Sequence, residues 1–205
     1  MPLAYVHAFE PGEIASAPPV LLLHGTGGDE HNLLPLGRTL SPGSAFLSPR
    51  GPVNEQGAAR FFARISSGIF DPSEVAGRTH ELADFISEAS RKYQLDLNRL
   101  VAVGISNGAN IAATLLLLRP VVLHAAVLFR PMVVLDQPAP AHSLEGKRVL
   151  IASGAHDPIV PADHPHRLAA HLRAGGADVT LKTYPAAHNL TREEIADAQT
   201  WISSS

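Results

Sequence analysis

Apolar residues in this chain gather into short, nearly unbroken runs, with longer two-sided stretches between several of them. The runs cover residues 20–23, 45–47, 100–105, 125–129, 149–152 and 179–183. Their length and aliphatic content predict strands buried on both faces. Helical patterns fall over 75–93, 107–118, 165–174 and 192–202. Buried strands alternating with helices predict a mostly parallel sheet covered on both sides. Residues 4–9, AYVHAF, alternate more strictly and predict an outer, antiparallel strand. The last helix has a legible start, because Thr191 and Glu194 have the spacing of a capping box.

Length adds one constraint: 205 residues suit a single domain spanning 1–205 with a large core. A charged fraction of 17% and a net charge of −3 describe an ordered globular chain. They supply no basic field for nucleic acid. The chain contains no cysteine. That excludes disulfides, thiolate metal sites and a cysteine nucleophile, and agrees with a reducing cytoplasm. The opening MPLAYVHAFEPGE has neither the basic start nor the apolar core of a secretory signal. The most apolar region, 111–129, is interrupted by Arg119, Pro120 and His124, short of the roughly 20 residues a membrane span requires.

The informative stretch is LVAVGISNGANIAATLLLLR, residues 100–119. A buried strand runs into a helix of strong formers, and Ser106 stands at the junction inside Gly104-Ile105-Ser106-Asn107-Gly108. This matches G-x-S-x-G, the nucleophile elbow. A strand passing directly into a helix forces the hinge residue toward positive φ. Glycines two positions either side let the two elements crowd together and leave the serine hydroxyl exposed.

A serine hydroxyl reacts only when a base takes its proton and a third group orients that base. In elbow-bearing sheets the chain order is serine, acid, histidine. Asp157, in RVLIASGAHDPIVP, and His188, in VTLKTYPAAHNLTREE, both follow predicted strands at their carboxyl ends. Sites in parallel sheets sit at that edge. Asp136 is the best alternative acid, and Asp163 lies farther into its loop. His164, His166 and His171 fall on or near a predicted surface helix and read as solvated, while His156 should point away from its neighbour Asp157. No HExxH-like spacing suggests a metal, and no cofactor motif is present.

Acyl transfer also needs N–H donors for the developing oxyanion. Asn107, just after the serine, supplies one. The glycine-rich loop His24-Gly25-Thr26-Gly27-Gly28, after strand 20–23, is placed to supply another, with His24 as a hydrogen-bonding support. The loop lacks the G-x-G-x-x-G and Walker patterns of phosphate cradles.

LLLHGTGGDE, SPRGPV, GISNGAN, GAHDPIVP and AAHNL, in that order, resemble the carboxylesterase/phospholipase family of α/β-hydrolases, which includes acyl-protein thioesterases. The sequence is most similar to a bacterial esterase subgroup associated with hydroquinone resistance, over about residues 20–201. The resemblance implies an α/β-hydrolase fold, Ser106 as nucleophile, Asp157 as acid and His188 as base, with the N–H groups of Thr26 and Asn107 as oxyanion donors. It leaves a homodimer open. Thioesterase-like members usually carry leucine at position 26 and glutamine at 107, which speaks against a long-acyl or protein-thioester substrate.

Residues 50–70, RGPVNEQGAARFFARISSGIF, read as too polar for a core element and too short for a lid domain. They are expected to wall the pocket, with Phe61, Phe62, Ile69 and Phe70 as apolar contacts. The expected activity is hydrolysis of a small or medium carboxylic ester in an open cleft. A thioesterase or a dienelactone-type lactone hydrolase ranks lower, the latter because those relatives use cysteine. A non-catalytic ligand sensor on the same scaffold would not need all three polar groups.

Overall fold

A computed structural model describes residues 3–66 and 68–204. Its centre is a seven-stranded sheet. In chain order the strands are β1 (His7–Glu10), β2 (Val20–Leu23), β3 (Phe46–Pro49), β6 (Val101–Ile105), β7 (Ala125–Phe129), β8 (Arg148–Gly154) and β9 (Asp178–Tyr184). Their order across the sheet is β1-β3-β2-β6-β7-β8-β9. β1 pairs antiparallel with β3, and every other neighbour is parallel. β4 (Val53–Glu55) and β5 (Ala58–Arg60) form a separate two-stranded hairpin.

The helices are α1 (Leu34–Leu40), α2 (Pro72–Tyr93), α3 (Asn107–Leu118), α4 (His164–Ala174) and α5 (Arg192–Ser203). Strand alternation sorts them onto the two faces. Leu21, Leu23, Ala102, Ala126, Leu128, Val149 and Ile151 point to the face covered by α2, α3 and α4. Val20, Leu22, Val101, Val103, Val127, Leu150 and Ala152 point to the face covered by α1 and α5. Both side-chain sets of each strand are therefore apolar, which is why the runs lack a polar phase. No helix among the described residues is long and apolar enough to cross a membrane.

Two elements depart from expectation. Helix α1 has no side-chain cap, carries a glycine and is only one to two turns long, so its pattern is weak in the sequence. The 50–70 stretch does contain core residues, because Phe61 and Phe62 are fully buried among β2, α2 and α3 side chains. The hairpin turns through Gln56 and Gly57, both at positive φ, and leaves Asn54 and Gln56 exposed while Arg60 is buried. The chain then drops the two phenylalanines inward.

One polar contact pins the sheet to α5. Arg130, directly after β7, is completely buried, and every guanidinium N–H has an acceptor. Nε donates to Ala187 O at 2.8 Å, Nη1 to Ala152 O at 3.2 Å and to Glu194, and Nη2 to Asn189 O at 2.7 Å and to Glu194 at 3.0 Å. Glu194 also closes the capping box of α5, accepting from the Thr191 N–H at 2.7 Å while its own N–H donates to Thr191 Oγ1.

Removing one partner of such a pair strands a buried charge. Arg130→Met is expected to cost about 3–5 kcal/mol, read as a lowered urea midpoint; an unchanged midpoint would contradict the burial described. Gly108→Ala should also lower the thermal midpoint by several degrees, because a Cβ there would lie 1.9 Å from Leu23 O.

Candidate active site

Ser106 occupies the junction between β6 and α3 with φ 52° and ψ −113°. Such a conformation costs a non-glycine residue about 1–3 kcal/mol and persists only where the surroundings impose it. Here they do. A Cβ on Gly104 would sit 2.5 Å from Gly108 O, so the helix can close against the strand only because that atom is missing. The Ser106 N–H donates to Phe129 O at 2.9 Å, which fixes the turn to the end of β7.

Asp157 lies in the loop after β8. Its Oδ1 accepts from the Ile159 N–H at 2.8 Å and the Val160 N–H at 3.2 Å. Its Oδ2 is 2.7 Å from His188 Nδ1, in the loop after β9. Burial raises the Asp157 pKa, but the Ile159 amide, the His188 ring and the Val160 amide outweigh it and hold the group below the usual carboxylate range. The ionised carboxylate can only accept, so Nδ1 donates to it, and in the neutral form of the ring that tautomer puts the lone pair on Nε2. Arg130 grips the carbonyls of Ala187 and Asn189, the residues either side of His188, and its Nε lies 3.9 Å from Asp157 Oδ2. The imidazole is thus set from both ends. A relay of this kind can take a proton from a hydroxyl.

Ser106 and His188 line one cleft of about 350 Å³, with Gly25, Thr26, Arg60, Arg64, Gly68, Phe70, Ile105, Asn107, Asn110, Met132 and Ile159. A hollow of about 470 Å³ between residues 14–18 and α5 is roomier but offers no titratable side chain among the described residues, so chemistry rather than size singles out the first. The Asn107 N–H belongs to the leading turn of α3, where amides lack an intrahelical acceptor. The neighbouring amides of Thr26 are committed: Gly27 N–H donates to Ala59 O and Gly28 N–H to Gly25 O. His24 accepts from the Gly51 N–H at 2.9 Å through Nε2, and its Nδ1 is 2.7 Å from Gly25 O. Burial lowers its pKa, which keeps the ring neutral and able to do both.

The apolar contacts expected from 50–70 need correction. Phe70 lines the cleft. Phe61 and Phe62 do not, being buried in the core, where Phe61 packs on His24 at 4.8 Å between ring centroids. Ile69 is 56% exposed and outside the lining. The segment contributes Arg60, Arg64 and Gly68 instead, none of which hydrophobic patterning singles out. Phe61 still matters indirectly, because its N–H donates to Asn107 Oδ1 at 2.8 Å and ties the wall to the elbow. The amide Nδ2 of Asn107 is buried without a hydrogen-bond partner among the described residues.

Asp136 is exposed and paired with Arg167 at 2.6 Å and His171 at 2.9 Å, away from the cleft lining. Asp163 pairs with Arg167. His164 departs from the solvated expectation: it is half-buried, and its Nδ1 accepts from the Val133 N–H at 3.1 Å. His166 borders a smaller hollow of about 230 Å³ on the other side of Asp157. Among the described residues no three His, Cys, Asp or Glu side chains gather as metal ligands.

Against this geometry the comparisons are consistent with one another. The model of a phospholipase/carboxylesterase family matches residues 7–205. MhqD of Bacillus subtilis (strain 168), which carries only a general hydrolase name, is 42% identical over 200 residues, 95% of this chain and 96% of its own. The crystal structure of the Bacillus cereus carboxylesterase is 42% identical, covers 98% of this chain and 94% of its own, and superposes with a TM-score of 0.94. YahD, solved with malic acid, is 32% identical over 98% of both chains, with a TM-score of 0.91. The chain therefore has the α/β-hydrolase architecture and belongs to the phospholipase/carboxylesterase family of hydrolases.

Proposed function

We propose that this protein is a serine carboxylesterase that cleaves small or medium carboxylic esters through an acyl-enzyme. The observation that carries the reading is the 2.7 Å contact between His188 Nδ1 and Asp157, which leaves Nε2 unprotonated in the cleft that Ser106 lines. Ser106 Oγ attacks the ester carbonyl carbon while His188 Nε2 takes its proton. The tetrahedral oxyanion is held by the N–H groups of Thr26 and Asn107, donors that are in place before charge develops. The C–O bond to the leaving alcohol breaks and His188 returns the proton to that oxygen. A water then attacks the acyl-enzyme with His188 again as base, releasing the acid and restoring the serine.

Asp157 holds the tautomer and balances the imidazolium, which requires that it stay ionised; its lowered pKa suits this. The cleft walls carry Phe70, Ile105, Met132 and Ile159 but no long apolar tunnel lining, which favours a short acyl group. YahD, 32% identical to this chain, was solved with malic acid, a compact dicarboxylic acid. A chain without cysteine suits work in the cytoplasm.

A fluorophosphonate probe should label Ser106, located by peptide mass spectrometry, and His188→Ala should abolish the labelling at matched times. Labelling at another residue, or undiminished labelling in the variant, overturns the reading. On p-nitrophenyl butyrate, Asp157→Asn is expected to lower kcat by about 10⁴ by fixing the wrong tautomer. Asp136→Asn should leave kcat unchanged, and the reverse ranking would move the acid to position 136.

A further inference from the structure

The charges around the cleft are unbalanced. Arg60 and Arg64 both line it, and among the described residues no carboxylate does. Behind them Glu55 is shared, with Oε2 at 3.1 Å from Arg60 Nε and Oε1 at 2.6 Å from Arg64 Nε. Two guanidiniums set against one carboxylate leave a surplus of one positive charge at the cleft wall. Asp157, the other nearby acid, is turned away behind the His188 ring.

The surplus sits close to the chemistry. Arg60 Nη1 donates to Thr26 Oγ1 at 2.6 Å, and Thr26 is the residue whose N–H faces the oxyanion in the proposed mechanism. The Arg60 side chain is 5% exposed, and its Nε also donates to Phe62 O at 3.2 Å. Burying a guanidinium against half a counter-charge is costly, and a purely structural bridge between Thr26 and Phe62 would not need the charge. Arg64 is 42% exposed and spends only Nε on Glu55, so its terminal nitrogens have no protein acceptor among the described residues. A planar fork of this kind is suited to a carboxylate.

We infer that the ester this site takes carries its own carboxylate, as in a half-ester of a short dicarboxylic acid, and that Arg64, backed by Arg60, holds that carboxylate while Ser106 attacks the ester carbonyl. The inference rests on the esterase reading of the same cleft. A monoanion matches the single surplus charge, whereas a phosphate dianion would exceed it. Recognition is a binding event, so it alters which ester is chosen and leaves the acyl-transfer steps as described.

The test compares monoethyl glutarate with its neutral isostere ethyl glutaramate, followed by acid release at constant pH, using the whole chain. The half-ester should have the higher kcat/KM by about tenfold to a hundredfold, the range of one charge-assisted contact. That preference should shrink as salt is raised. Arg64 is the position to vary, because its exposure makes folding insensitive to the change, whereas Arg60 is built into the wall. Arg64→Gln should collapse the ratio of the two esters toward one through a raised KM for the half-ester. Arg64→Lys should restore part of it. Equal use of both esters by the natural protein, or a preference that survives Arg64→Gln, overturns the inference. Fluorophosphonate labelling in the same preparation separates the two levels. Labelled Ser106 with no ester preference defeats the charge assignment alone. Absent labelling with neither ester cleaved defeats the esterase reading and this one with it.

Discussion

The site depends on a steric constraint at one turn. β6 enters α3 with no spare residue between them, and Ser106 takes the backbone strain of that passage. The strain is held by packing on three sides. Gly108 lies against the Leu23 and His24 carbonyls of the neighbouring strand end, Gly104 lies against the first turn of α3, and the Ser106 N–H is bonded to the end of β7. A side chain at Gly104 would have to push β6 and α3 apart, and one at Gly108 would have to push α3 off the end of β2. The hydroxyl stands forward because the chain behind it has no room to relax.

A second constraint works through charge. Arg130 spends all its donors on Glu194 and on three backbone carbonyls, two of which flank His188. The capping box of α5, a local device for starting a helix, shares its glutamate with this pair. The start of the last helix and the position of the imidazole are therefore set by the same carboxylate. Arg130 itself holds φ 55°, so the loop after β7 carries strain beside the strained serine. Strain and buried charge concentrate along one edge of the sheet, and the rest of the fold is ordinary apolar packing.

The fold was legible because strands buried on both faces leave short, nearly unbroken apolar runs that alternate with helical patterns. Ser106 was legible because G-x-S-x-G sat at a strand-to-helix change. Asp157 and His188 were legible as polar residues just past strand ends in the right order. What the sequence hid is equally physical. Helix α1 is too short for periodicity to register. Phe61 and Phe62 follow a polar hairpin, and nothing local says that the chain turns inward after Arg60. Arg64 looks like any surface cation until the cleft is formed around it. Arg130 did leave a trace, a charge immediately after the fully apolar run 125–129, at the same strand ends as Ser106, Asp157 and His188. His164 falls on or near a predicted surface helix, which suggests solvation, but its place in the first turn of α4 lets it meet the Val133 amide.

The strand order has a consequence for how the chain comes into being. β2 pairs on one side with β3, some two dozen residues downstream, and on the other with β6, whose first residue is Val101. A ribosome adds roughly 5–20 residues each second, so the early strands wait several seconds for the partner that completes the middle of the sheet. Until it arrives, the Leu23 carbonyl has nothing to press against, and the bend at 106 has no wall to brace it. The forward-standing hydroxyl of Ser106 is therefore a late product of synthesis, acquired when the two halves of the chain meet.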